Sequence, residues 1–244
     1  MYQNEQSTAG HAAINAKIAK AFGVQLISDV PERLARWQVR PWIDAKRRSR
    51  IDMIRSRGVL FLHLPKNAGT SICHQLYGRQ VKHASVAYYA KAAPDVLKLP
   101  SFAIIRDPVD RFLSAYQYAR RGGTGDRRVS DAFHDHYRRF QTIDDAIQHL
   151  ANARSPFDVD HIFRPQSWYL TDKKGRNRID ILVPHNQITN LSSRLGINAL
   201  ASLPLLNCSE KCVEPINAEQ MDFLKRFYAD DFQLFAEHCR HSAS

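Results

Sequence analysis

The stretch "VLFLHLPKNAGTSICHQLYG", residues 59–78, decides how the rest of the chain is read. "VLFLH" is a short β-favouring run bounded by Gly58 and Pro65, and beyond the turn Ile72 and Leu76 sit four apart, as on one face of a helix. A strand that turns into a helix N-terminus aims several unpaired backbone N–H groups at one point, where the helix dipole also favours negative charge. Gly69 lets the backbone approach an anion closely, Thr70 and Ser71 add hydroxyl donors, and Lys66 adds a charge. The turn is therefore predicted to hold a phosphate-like group. Its letters differ from the triphosphate loop G-x-x-x-x-G-K-[ST], in which the lysine follows the second glycine and the next Ser or Thr holds magnesium. In "LPKNAGTS" the lysine precedes the glycine by three residues, and Asn67 follows it, which disfavours metal–triphosphate chemistry.

The same grammar recurs in "FAIIRDPVDRFLSAYQYARR", residues 102–121. "FAII" reads as a strand, Asp107 as an N-cap and Pro108 as the first helical residue, with Phe112, Tyr116 and Ala119 on one stripe. A third apolar run, "IDILVP" at 179–184, precedes the weaker helical pattern "NQITNLSSRLG". Buried strands alternating with helices predict an α/β fold, a P-loop-like three-layer domain with a central parallel sheet flanked by helices. Arg106 ends the second strand and Ser114 lies two helical turns on, so a guanidinium and a hydroxyl can converge on a second anion. Two separated anion sites fit a nucleoside bearing phosphates at both ends. The competing reading pairs Arg106 with Asp107 or Asp110 and makes Ser114 a packing residue.

The composition of the 244 residues, 44% hydrophobic and 24% charged, is that of a globular protein with a sizeable core. Lys and Arg exceed Asp and Glu by 11, a surface that attracts anions. Nine Lys or Arg against Asp44 and Asp52 fall within residues 33–57. Residues 1–57 therefore read as a basic, helical N-terminal extension and 58–244 as the main domain. The extension is expected either to be a solvated face with Trp37, Trp42 and Ile51 packed on the domain, or to dock an acidic acceptor or a membrane surface. No basic start followed by an apolar run and no span of about 18 apolar residues is seen, so a soluble cytoplasmic protein is expected. Cys73, Cys208, Cys212 and Cys239 suggest neither a disulfide framework nor a structural zinc. "RRGGTGDRRVS", residues 120–130, reads as a loop, either a lid or a plain connection, and "AEQMDFLKRFYADDFQLFAEH" as a closing helix.

"FLHLPKNAGTSI" together with "FAIIRDPVDRFLSAYQYAR" resembles the PAPS-dependent carbohydrate sulfotransferases, the group that includes heparan sulfate 2-O-sulfotransferase and the chondroitin and HNK-1 sulfotransferases. The resemblance continues weakly through "KHASVAYY", "HIFRPQSWYL", "LPLLNCS" and "FYADDFQLF", and departs where relatives carry a glutamate in a "fEnL"-like segment and this chain reads "VPHNQITNL". It implies O-sulfation of a saccharide or glycoconjugate acceptor, acidic or lipid-linked, from 3′-phosphoadenosine 5′-phosphosulfate without a metal. Lys66, Asn67, Ala68, Gly69, Thr70 and Ser71 would hold the 5′-phosphosulfate, and Arg106 and Ser114 the 3′-phosphate. Lys66 would also serve the chemistry, with His83 as general base and His63 and His74 as competitors for that role. His161, Arg164, Gln166 and Trp168 would touch the acceptor unless "HIFRPQSWYL" is an ordinary strand or loop with a buried Trp, and Lys211 would close over the nucleotide. The rivals are a P-loop-type kinase using ATP and magnesium, and a basic nucleic-acid-binding module that would have no need of Lys66.

Overall fold

The computed structural model describes residues 14–124, 127–200 and 214–240. A first helix, α1 (residues 14–21), leads to α2 (Val30–Arg36), which has a proline in its first turn. α3 (Ala45–Arg57) is capped by the Asp44 carboxylate, which accepts from the Arg47 N–H, and it stops at Gly58 in the left-handed conformation. β1 (Leu60–Phe61) runs through the Lys66 turn into α4 (Gly69–Tyr77), and α5 (Val86–Ala92) is capped by Ser85. β2 (Ser101–Ile105) leads into α6 (Pro108–Arg120), where the Asp107 carboxylate accepts from the N–H groups of Val109 and Asp110. A small hairpin, β3 (Gly123–Thr124) and β4 (Arg127–Arg128), precedes α7 (Asp131–Tyr137), α8 (Ile143–Ala151) and α9 (Gln166–Leu170). β5 (Ile181–Pro184), α10 (Leu191–Leu195), α11 (Ala218–Phe227) and α12 (Ala229–Arg240) follow.

The main sheet is parallel in the order β1, β2, β5, with Leu60 opposite Ser101 and the run from Phe102 to Ile105 opposite Ile181 to Pro184. Every residue of β2 is buried, as a central strand covered on both faces must be. Ile72, Leu76 and the strands share one apolar cluster, while Phe112, Tyr116 and Ala119 turn the other side of α6 into a second cluster with Tyr137, Phe163 and Tyr228. The α/β fold with a parallel sheet flanked by helices is the one expected. Because the strands are parallel, their C-terminal ends open onto one edge, and both strand-to-helix turns lie there.

Several local expectations change. Within "RRGGTGDRRVS" Gly123 pairs antiparallel with Arg128, and Gly122 and Gly123 both lie at positive φ, which glycine adopts without steric cost. "HIFRPQSWYL" is neither strand nor loop throughout: Gln166–Leu170 is helical, its first N–H groups held by Asp231. The closing segment is two helices, broken at Tyr228, whose hydroxyl donates to the Phe163 carbonyl in the second core. The stretch 185–195 is a 3-10 helix before it becomes α10. Cys208, Cys212, Lys211 and "LPLLNCS" lie outside the described residues.

The change of charge near residue 57 is not a break in packing. Ala35, Ile51 and Ile54 belong to the same cluster as the sheet, whereas Trp37 and Trp42 are exposed. Asp29, fully buried before α2, receives Arg164 in a two-pronged ion pair and a 2.9 Å hydrogen bond from His161. Buried Glu32 accepts from both the N–H and the hydroxyl of Ser85. Burial alone would raise the Asp29 pKa, but His161 and the Arg164 charge hold it far below the usual carboxylate range. Asp29→Ala leaves Arg164 buried without its partner and is expected to remove about 3–5 kcal/mol of stability at neutral pH. Urea unfolding measures this, and a loss under about 1 kcal/mol would show that the pair is not a clamp.

Candidate active site at the ends of the parallel strands

The turn after β1 is shaped by two non-glycine residues in the left-handed region, Lys66 (φ +66°) and Ala68 (φ +57°). Each such residue is held at a cost of order 1–3 kcal/mol and persists only where its surroundings over-determine it. Asn67 between them supplies that anchor. It is buried, and its Nδ2 donates to the Ile104 carbonyl and to Gln166 Oε1, both at 2.7 Å. Gln166 reaches the second turn as well: its Oε1 accepts from the Arg106 N–H and its Nε2 donates to the Arg106 carbonyl, both at 2.9 Å. Arg111, buried on α6, donates to the carbonyls of Pro65, Ile162 and Arg164. The two turns are thus one rigid unit.

What this unit displays is positive. The Lys66 ammonium lies 4.1 Å from the centre of the Tyr118 ring and pairs with no carboxylate among the described residues. Burial, together with the charges of Arg106 and Arg111, pushes its pKa down to about 8. Arg106 also makes no ion pair among the described residues, and one of its N–H groups contacts the Lys66 carbonyl at 3.4 Å. Neither Asp107, whose carboxylate caps α6, nor Asp110 forms an ion pair with Arg106, although both charges act on it from nearby. Asp110, Ser114 and Tyr118 are spaced four apart on α6, so Ser114 shares the stripe that faces Lys66. Ala68, at the N-cap of α4, offers no side-chain acceptor to the first turn. Converging cations and backbone donors are the features that an anion site requires.

Beside it stand three histidines. His63 Nδ1 lies 2.9 Å from the Val81 carbonyl, and the His63 ring fills the space over Gly69 so closely that a Cβ there would overlap it. Gly69 is therefore required by a neighbouring ring, a reason the sequence did not disclose. His83 packs against His63 with ring centres 4.2 Å apart and lies 6.4 Å from the ring of His161. Its Nδ1 is 3.0 Å from the His63 carbonyl, which can only accept, so Nδ1 carries the proton and Nε2 the lone pair. Burial and the adjacent His63 lower the His83 pKa well below the ordinary histidine value, which keeps the ring neutral at physiological pH. A cleft lined by Glu32, Arg47, Arg50, Lys82 and Tyr88 opens next to His83, and the buried Tyr88 hydroxyl has no hydrogen-bond partner among the described residues.

Of the residues expected to meet an acceptor, only His161 comes near His83. Arg164 and Gln166 are fully buried, their polar atoms committed to Asp29, Val159, Asn67 and Arg106, and Trp168 is buried under the Arg36 guanidinium. They brace the site from behind. Asn67 also braces rather than faces a ligand, while His74 is exposed on α4. Sequence reasoning missed Asp29, Arg111, Tyr118 and Asp231, whose partners are far apart in the chain; Arg111 was the most accessible of them, an arginine four residues after the N-cap.

The chain matches the model of the Sulfotransferase family over residues 49–236. It belongs to that family. The match takes in both strand-to-helix turns and His83, and starts inside α3. No curated protein and no solved structure matches the chain. Members of the family move a sulfuryl group.

The depressed Lys66 pKa has a measurable sign. Between pH 8 and the ordinary lysine range the unfolded chain binds the proton that the folded one has released, so stability of the ligand-free protein rises with pH across that window. Lys66→Met is expected to flatten this rise in melting temperature, and an unchanged slope would reject the assignment. Gly69→Ala is expected to lose stability and activity together, because the new methyl displaces His63.

Proposed function

We propose that this sulfotransferase takes its sulfuryl group from 3′-phosphoadenosine 5′-phosphosulfate and delivers it to a hydroxyl of a saccharide or glycoconjugate. The observation that carries the reading is the pair of cations, Lys66 and Arg106, held on two rigidly joined turns with no direct ion pair among the described residues. Two turns offer two anion positions, as a nucleoside phosphorylated at both ends demands. Lys66 and the backbone of Ala68, Gly69, Thr70 and Ser71 would hold the 5′ end, and Arg106 and Ser114 the 3′-phosphate. The bound donor supplies a sulfuryl group on a phosphate leaving group.

The residues of the chain do the rest. Lys66, with a pKa of about 8, is largely protonated at neutral pH and balances the charge that grows on the leaving phosphate. An anion beside it raises that pKa again, so the charge is most secure when the ligand is present. His83 receives the acceptor proton at Nε2, while its Nδ1–H, tied to the His63 carbonyl, holds the ring in orientation. The acceptor enters from the cleft lined by Lys82, Arg47 and Tyr88. Transfer of this kind depends on positioning and charge stabilisation, which two locked turns and a fixed tautomer provide.

Thermal stabilisation by adenosine 3′,5′-bisphosphate tests the donor site. At about a hundred times its dissociation constant the ligand adds roughly 2.7 kcal/mol. The shift is expected in the parent and in His83→Gln, and is lost in Lys66→Met and Arg106→Ala; a shift only with ATP and magnesium would place the kinase reading first. His83→Gln is expected to lose turnover by about 10²–10⁴-fold. Because the His83 pKa is low, the parent's activity should hold as pH falls through the usual histidine range, and an acid limb centred near 6.5 would count against His83 as base.

A further inference from the structure

Among the described residues seven large hydrophobic side chains are exposed, and six of them, Ile14, Ile18, Ile27, Trp37, Val39 and Trp42, fall within the first 42 positions. Scattered exposed apolar residues need no explanation, but a concentration of this kind does. The connection from α2 to α3 is its centre: Trp37 is 53% exposed and Trp42 66% exposed, with Val39 between them. The connection is nevertheless anchored, since Pro41 is buried, Ile43 packs on the core, and Trp37 stacks on Phe22 with centroids 6.0 Å apart. That stack brings the end of α1 to Trp37, and Ile14 and Ile18 lie one turn apart on α1. The fold thus holds these side chains outward. Around them Arg40, Lys46 and Arg48 are exposed, in the segment with nine Lys or Arg against two Asp.

We propose that this face, the 37–44 connection with the first turn of α3, docks the protein on the surface of an anionic lipid bilayer. Tryptophan is favoured at headgroup level, where its ring is half immersed, and neighbouring basic residues are drawn to anionic lipid. Both features occur together here. A second copy of the chain fits less well, because self-complementary pairing would set two strongly positive segments against each other. A soluble acidic polymer matches the charge but offers no apolar interior to three outward apolar side chains. Docking also has a functional geometry: Arg47 and Arg50, from the same α3, line the cleft beside His83, so the docked protein presents that cleft near the headgroups. The proposal stands apart from the identity of the sulfuryl donor.

The test is sedimentation of the full chain with vesicles of mixed phosphatidylglycerol and phosphatidylcholine, against phosphatidylcholine alone, while following tryptophan emission. Trp168 is buried, so a change in emission reports Trp37 and Trp42. Expected are binding and a blue shift with the anionic vesicles only, reversed by salt. Trp42→Ser with Val39→Ser should weaken partitioning by about tenfold or more. Lys46→Gln with Arg48→Gln should weaken it about thirtyfold. All four positions are exposed, so melting temperatures should stay at the parent value. Absence of binding to the anionic vesicles, or binding that survives both variants, overturns the proposal. So does a dimer in solution that Trp42→Ser dissolves, which would make a second copy the occupant, or binding to dextran sulfate with no blue shift on vesicles.

Discussion

The Gln166 side chain, bonded at once to Asn67 and to both backbone groups of Arg106, is the contact on which the two strand-to-helix turns depend. Two left-handed residues flank Asn67, and without a fixed partner they would relax toward ordinary conformations. Gln166 is itself fixed, because its own N–H and that of Ser167 donate to the buried Asp231 carboxylate. Burial raises the Asp231 pKa, and the nearby Arg111 opposes the rise. Pieces of chain more than a hundred residues apart thus meet in one polar core with little freedom. The bonds of this network hold Lys66 and Arg106 in place, while Asn67 Oδ1 is left buried without a hydrogen-bond partner among the described residues.

The division of labour among the histidines follows from the same packing. His63 is used as filler over Gly69 and as the carbonyl that orients His83; His83 is left neutral with one open nitrogen; His161 is engaged by Asp29. Three chemically identical side chains receive three tasks from their neighbours alone. The N-terminal segment takes part through Asp29 and Glu32, which hold Arg164 and Ser85, so its basic character conceals two buried acids that tie it to the fold.

Much of the fold was legible because its signals are local. β-favouring runs followed by Pro, Asn and Gly announced the strand-to-helix turns, and the spacing of Phe112, Tyr116 and Ala119 announced the buried face of α6. The cations of the candidate site, Lys66 and Arg106, each sit in a short motif and stand out in the sequence for the same reason. The bracing was not. A sequence shows Arg164 and Gln166 as polar residues fit for a sugar, and only their burial against Asp29 and Asn67 reveals them as structure. Trp37 and Trp42 failed in the opposite sense: hydrophobicity suggests burial, but the buried positions of that connection are taken by Pro41 and Ile43.

α6 carries in one continuous rod the Asp107 cap, Arg111 under the lysine turn, Ser114, and the Tyr118 ring on which Lys66 rests. A helix rises about 1.5 Å per residue, so Ser114 and Tyr118 stand roughly 6 Å apart along its axis. That interval is set by backbone hydrogen bonds and cannot be altered by any side-chain adjustment. The helix therefore works as a ruler: it fixes the interval between Ser114 and the ring under Lys66, and no side-chain rotation can stretch or shorten the reach between the two turns.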